Sequence, residues 1–274
     1  MRGASFQITQ SARQVLQRLR HPEKVERIWI DGLCINQRDL AEKEVVVKRM
    51  RDIYSSASEV LVWLGECSRE EESFVDDYLQ WKESKELGTP YNFLSLLTRS
   101  WFTRRWILQE AALAKPHALT AACGSHTFSW DAEDGFATFL LDPNMGLHVG
   151  KGRQSSRVQK AIRTVRFIDE SRSGERLPCS LFHVLLRTQY TDASNITDYI
   201  TAVLGLACDW NADSGLSLRY GSPGEENSAA VKRREFVNFA TWDVVCNKSI
   251  RVLAYASGPK EGSGTGGLPS WVPD

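Results

Sequence analysis

No excess of charge marks this chain: 34 basic residues balance 34 acidic ones among 274, and the isoelectric point falls near 7. A phosphate-binding surface needs a positive field, so no nucleic-acid partner is expected. Long apolar runs are missing too. The longest stretches, such as Val60–Leu64 and Ala202–Cys208, fall far short of the roughly 20 residues that cross a bilayer, and no membrane span is expected. None of the six cysteines belongs to a CxxC pair, which argues against zinc or any other metal centre. No basic start followed by an apolar leader is evident, so the cysteines read better as thiols in a reducing, cytoplasmic setting than as disulfides. Neither GxGxxG nor GxxxxGK follows an apolar strand pattern, which removes both common phosphate loops. What remains is ordinary globular material. Hydrophobic residues make up 42%, charged residues 25%, and nine tryptophans supply bulk for a packed interior.

The order of patterns gives the fold class. Ser11 to Arg20 carries Val15, Leu16 and Leu19 at helical spacing, with Ser11 and Gln14 as a capping box. Arg27–Asp31 (RIWID) reads as a buried strand ending at an acid and Gly32, and Glu59–Leu64 (EVLVWL) as a second strand closed by Gly65. Between them Asp39 and Glu42 cap a helix whose face is Val46, Val47, Met50, Ile53, Tyr54 and Ala57. Strand, helix, strand at this spacing is a βαβ unit with parallel pairing. An acidic helix with a solvated face follows over 68–85, a loop at Gly88-Thr89-Pro90, and a helix from Thr103 to about Ala114. The run ALTAACGSHTFSW reads as two strands around a Gly124-Ser125 turn. Beyond Pro143 the period becomes helical at Val158, Ile162, Val165 and Ile168, at Leu181, Val184 and Leu185, and again over 199–207. Residues 150–154, 213–227 and the Gly-rich 258–267 are read as loops. The expectation is an α/β core over 1–145 and a mostly helical part over 146–274.

Four blocks carry a family resemblance: Ile28 to Asp39 (IWIDGLCINQRD) with Met50 to Glu66 (MRDIYSSASEVLVWLGE), Arg99 to Ala114 (RSWFTRRWILQEAALA), Asp198 to Asp209 (DYITAVLGLACD), and the closing LPSWVPD. In this combination the chain resembles the HET (heterokaryon incompatibility) domains of filamentous fungi, effectors of non-self recognition that trigger programmed cell death. The pattern departs from the family at Val46, where Gln is usual, and at Thr197, where Arg is usual. The opening strand of form L-S-Y-x-W-G is also not found, which suggests an N-terminal truncation and an unpaired edge on the Arg27–Asp31 strand. HET domains are distantly similar to TIR domains, so the resemblance implies a TIR-like (flavodoxin-like) parallel sheet core.

That similarity implies chemistry as well. TIR domains that cleave NAD+ use a glutamate at the place matched by Glu110, one helical turn beyond Trp106. Breaking the nicotinamide–ribose bond leaves an oxocarbenium-like centre, which a carboxylate stabilises. Glu110 is therefore the candidate catalytic residue and NAD+ the candidate substrate, with no bound cofactor implied; the alternative is a helix-surface ion pair of Glu110 with Arg104 or Arg105. Asp31 ends its expected strand where ligands bind in open α/β sheets. The following loop offers Cys34, Asn36 and Gln37, though Asn36 also suits a local cap and Cys34 a small buried hydrophobe. Arg104 and Arg105 suit a pyrophosphate, or a solvated helix start, and Trp106 a cleft wall or plain core. A non-catalytic module acting by self-association or through a recognition partner is the other reading.

Overall fold

A computed structural model describes residues 7–85, 93–131, 133–142, 153–173, 179–222, 224–225 and 227–248. The loop expected at 88–90, the Gly-rich 258–267 and the LPSWVPD block lie outside the described residues. Helix α1 (Gln10–Leu19) starts two residues early, because Thr9 Oγ1 accepts the Ala12 N–H at 3.2 Å and takes the capping role expected of Ser11. A short α2 (Asp31–Cys34) follows, then α3 (Leu40–Lys48) and α4 (Met50–Ser56), separated at Arg49. Asp39 caps α3 as its sequence suggested, its Oδ1 accepting from Ala41 and Glu42.

Strand β1 (Val60–Trp63) leads into α5 (Arg69–Ser84), α6 (Phe93–Leu97), a 3-10 turn over Ser100–Thr103 and α7 (Ile107–Ala112). Two further strands, β2 (Leu119–Cys123) and β3 (His126–Ser129), precede α8 (Phe136–Leu141). The rest is helical: α9 (Arg153–Arg172), α10 (Leu181–Thr188), α11 (Asp198–Thr201), a 3-10 turn over Leu204–Leu206, and α12 (Ala229–Asn247). The expected 199–207 helix is thus a single turn of α-helix and a separate 3-10 turn.

The sheet corrects the βαβ expectation. Its order is β1-β2-β3, with β1 parallel to β2 (Val60 opposite Leu119) and β2 antiparallel to β3 across the Gly124-Ser125 turn. Arg27–Asp31 is not a strand. Residues 27–30 form no ladder, and Asp31 opens α2 after an extended Ile30. Ile30 is extended as a β-branched residue favours, but an extended segment becomes a strand only when a partner satisfies its backbone groups. That partner for β1 lies 59 residues further on in register, at Leu119 rather than near Ile28.

One buried cluster unites the elements. Val60, Val62 and Leu119 of the sheet, Phe74, Tyr78 and Trp81 of α5, Ile107 and Ala111 of α7, and Val158, Val165 and Ile168 of α9 share it with Trp210 and Trp242. The acidic helix α5 is also not simply a solvated face. Ser68 and Glu71 form a capping box, and Glu71 is buried against Arg99 in an ion pair at 2.5 Å. Burial alone would raise the Glu71 pKa, yet the hydrogen bonds from Arg99 and Ser68 outweigh it and hold the carboxyl below its ordinary range. Arg99 also donates to the carbonyls of Leu64 and Glu66, fixing the exit loop of β1.

The cysteine expectation needs correction as well. Cys67, in that exit loop, and Cys123, the last residue of β2, form a disulfide with Cα atoms 5.5 Å apart. Sequence spacing could not reveal it, since parallel pairing alone brings the two strand ends together.

Candidate functional site

Four polar side chains from separate parts of the N-terminal region converge beside α7. Glu110 sits in the first turn of α7, half-buried, with Ile107, Leu108 and Ala111 facing the core around it. Helix α4 packs on α7 and brings Tyr54. Asp31 arrives at the start of α2, and Arg104 lies in the link between the 3-10 turn and α7.

The electrostatics tie the four together. Burial pushes the Glu110 carboxyl up from 4.5 to about 7; the Arg104 guanidinium works against the shift and the Asp31 carboxylate adds to it. Burial likewise raises the Tyr54 phenol far above its ordinary value, reinforced by the charges of Glu110 and Asp31 and opposed by Arg104. Tyr54 is therefore a neutral hydroxyl near neutral pH. Its ring meets the edge of Trp29 at 5.6 Å between centroids, so the segment leading into Asp31 is seated on the same tyrosine.

The residues singled out in the sequence divide in the structure. Asp31, Arg104 and Glu110 are brought into electrostatic reach of one another. No ion pair within 4 Å joins Glu110 to Arg104 or Arg105 among the described residues. Trp106 is the N-cap of α7 and half-buried, one turn from Glu110, whose N–H donates to the Trp106 carbonyl at 3.2 Å. Cys34 is exposed, not buried as a small hydrophobe would be. The loop at Asn36 and Gln37 is largely bonded to itself. Asn36 Oδ1 accepts from the Arg38 N–H at 3.2 Å, and Gln37 Nε2 donates to the Asp31 carbonyl at 3.2 Å. This is the local-cap arrangement for Asn36.

Arg105 goes elsewhere. Only 2% exposed, it donates to the carbonyls of Tyr199 at 2.6 Å and Thr188 at 2.8 Å and to Thr191 Oγ1 at 2.9 Å. Burial brings its pKa down to about 10, with Tyr199 and Tyr190 opposing the shift. Its donors hold the third sequence block against the second. Thr197, where the family pattern has Arg, is buried beside it in sequence from Asp198, whose Oδ1 accepts from the Tyr220 hydroxyl at 2.7 Å.

Tyr54 is the member that sequence reading missed. Its position on the apolar face of a helix made it look like core, and the only available signal was its polar tip.

Residues 1–110 match the profile of the family described as "Heterokaryon incompatibility protein (HET)". The chain is also similar to "Heterokaryon incompatibility protein 6, OR allele" of Neurospora crassa, at 24% identity over 90% of this chain and 44% of that protein. The chain thus spans less than half the length of the curated relative it matches. No solved structure matches it. The matched profile takes in Asp31, Tyr54 and Arg104 and ends at Glu110, so it is the first 110 residues that are similar to the HET family.

Proposed function

We propose that this chain acts in a fungal incompatibility response, triggering cell death, and that it does so by hydrolysing the nicotinamide–ribose bond of NAD+ at Glu110. The observation that carries the reading is a half-buried carboxyl with a pKa of about 7, set among Asp31, Arg104 and Tyr54. A TIR-like mode of action is drawn from the Trp106–Glu110 resemblance. As the glycosidic bond breaks, its electron pair leaves with nicotinamide and positive charge develops at the ribose carbon. The ionised Glu110 stabilises that charge, and water adds to the carbon and releases a proton. Arg104, exposed at the edge, is placed to hold a phosphate. The neutral Tyr54 hydroxyl, within the electrostatic reach of Glu110 and Asp31, would supply a hydrogen-bond donor. Asp31 adds further negative charge.

The test is incubation of the full-length protein with NAD+ while free nicotinamide is followed, beside a Glu110→Ala control. Release that depends on Glu110 supports the reading; no release by the folded protein removes it.

A second reading rests on a different observation. Val25 is 95% exposed, Ile28 38% and Val45 60%, a set of apolar side chains at the surface of the HET-matched region. These favour a module that works by self-association or by binding a recognition partner. Cell killing retained in full by a folded Glu110→Gln variant would leave this second reading in place.

A further inference from the structure

We propose that Cys67–Cys123 is a reversible thiol–disulfide exchange site, open to low-molecular-weight thiols of the glutathione class at Cys67 alone. The two sulfurs differ in access. Cys67 lies in the exit loop of β1 and is half-buried, whereas Cys123 is fully buried at the end of β2, opposite His126 of β3. An attacking thiolate must reach a sulfur from outside the bond, so only the Cys67 sulfur can be attacked in the folded protein.

The exchange balances in two steps. A glutathione thiolate attacks the Cys67 sulfur, forming a mixed disulfide there and releasing the Cys123 thiolate, which takes up a proton. A second glutathione thiolate attacks the glutathione sulfur of that adduct, releasing glutathione disulfide and the Cys67 thiolate. In sum two glutathione thiols are oxidised and the protein disulfide gains two electrons. The reverse sequence, starting from glutathione disulfide, closes the bond.

Reclosure is favoured because the two cysteines are held together without it. The Gly124 N–H donates to the Gly65 carbonyl at 2.9 Å, and Arg99 fixes the Leu64 and Glu66 carbonyls while paired with Glu71. Gly124 has a φ of +54°, and a Cβ there would stand 3.1 Å from the Cys67 nitrogen, so the turn and the loop touch backbone to backbone. Reduced thiols in this frame stay within reach of each other, which gives a high effective concentration for closure.

The bond also has a structural dependant. Helix α1 buries no residue, and its Arg18 guanidinium donates to the Ser125 carbonyl in the β2–β3 turn at 2.6 Å. The crosslink ties the turn that receives α1 covalently to the exit loop of β1, so reduction leaves that seat on its hydrogen bonds alone.

The experiment equilibrates the purified full-length protein in buffers of varied reduced and oxidised glutathione, quenches with acid, alkylates and maps every cysteine by mass spectrometry. The expected result is a Cys67–Cys123 crosslink that falls and returns with the thiol ratio. Glutathione adducts should be roughly tenfold more abundant on Cys67 than on Cys123. Cys123→Ser should trap the adduct on Cys67, and hydrogen exchange over 9–20 and 124–126 should rise on reduction. A crosslink that resists excess reduced glutathione until denaturant is added, one that never forms in oxidised glutathione, or equal adducts on both cysteines would overturn the proposal. The wild-type titration decides the matter even where the serine variant does not fold.

Discussion

On the proposed reading Glu110 is the residue that reacts to pH, because a carboxyl with a pKa of about 7 is divided between its two forms near neutrality. Only the ionised form stabilises a positive centre, so turnover is expected to rise with pH through about 7 and level off above it; a flat profile from pH 5 to 8 would count against Glu110 as the group involved. Stability runs the other way. The folded pKa lies above the ordinary 4.5, so the folded chain binds more protons than the unfolded one between those values. This group's contribution is complete below 4.5 and is lost as pH rises through 7. Glu110→Gln is accordingly expected to be more stable than the parent at pH 8, by on the order of 2 kcal/mol, with the difference vanishing by pH 5 in denaturant titrations. Tyr54 makes a second case. Tyr54→Phe keeps the ring on Trp29 and deletes the hydroxyl, so kcat is expected to fall roughly tenfold with little change in KM or fold. An unchanged kcat would make Tyr54 a packing residue only. Neither role was open to reading from sequence at Tyr54, where periodicity reports that a position faces inward and says nothing of which charges it faces.

At the scale of elements, what the sequence disclosed and what it withheld follow one physical line. Helices α5, α9 and α10 and the β2–β3 hairpin were legible because their signals are local: the acidic run that follows Ser68, the helical spacing of Val158, Val165 and Ile168 and of Leu181, Val184 and Leu185, the Gly124-Ser125 turn. Pairing is not local. The apolar runs at Ile28 and Val60 look alike, yet only Val60–Trp63 finds a ladder, and its partner is supplied by chain beyond α7. The site follows the same rule: Glu110 and Asp31 were legible as residues, while the seating of Asp31 through Trp29 on Tyr54 was not. The short helical turns are held by close approach. The Gly205 N–H donates to Gln109 Oε1 at 2.9 Å, and a Cβ on Gly205 would stand 2.8 Å from that oxygen and 2.9 Å from the Arg51 Cβ. Gly205 therefore joins three of the sequence blocks, through α4, α7 and the Leu204–Leu206 turn. Gly205→Ala should cost about 1–3 kcal/mol through this overpacking, read as a lower urea midpoint at unchanged m-value; a midpoint equal to the parent's would show that the contact relaxes freely.

Across the whole molecule, the expected boundary near residue 145 meets a core that runs through it. Helix α9 packs on α6, α7, α8 and the Ser100–Thr103 turn, and its Thr164 hydroxyl donates to the Phe102 carbonyl at 2.7 Å inside that core. Arg172 at its end does more. Its guanidinium donates to the carbonyls of Ala111 at 2.9 Å, Ala114 at 2.6 Å and Lys115 at 2.9 Å, and pairs with Asp131 at 2.5 Å. The first of these carbonyls is in the last turn of α7, the helix that carries Glu110, and the other two follow its end, so one side chain from α9 fixes the C-terminal exit of that helix. The two long stretches are therefore expected to unfold together, with peptides from 93–131 and 181–222 losing hydrogen-exchange protection at the same urea concentration. Arg172→Ala leaves the half-buried Asp131 carboxylate without its partner and removes a donor from three carbonyls, a loss on the order of 3 kcal/mol. Arg172→Lys should recover little, because a point charge on a flexible stem cannot reproduce a planar fork directed at four acceptors. If the lysine variant matched the parent, or if Arg172→Ala released the 181–222 peptides while the 93–131 peptides stayed protected, α9 would be an attachment to the N-terminal region and not part of its core.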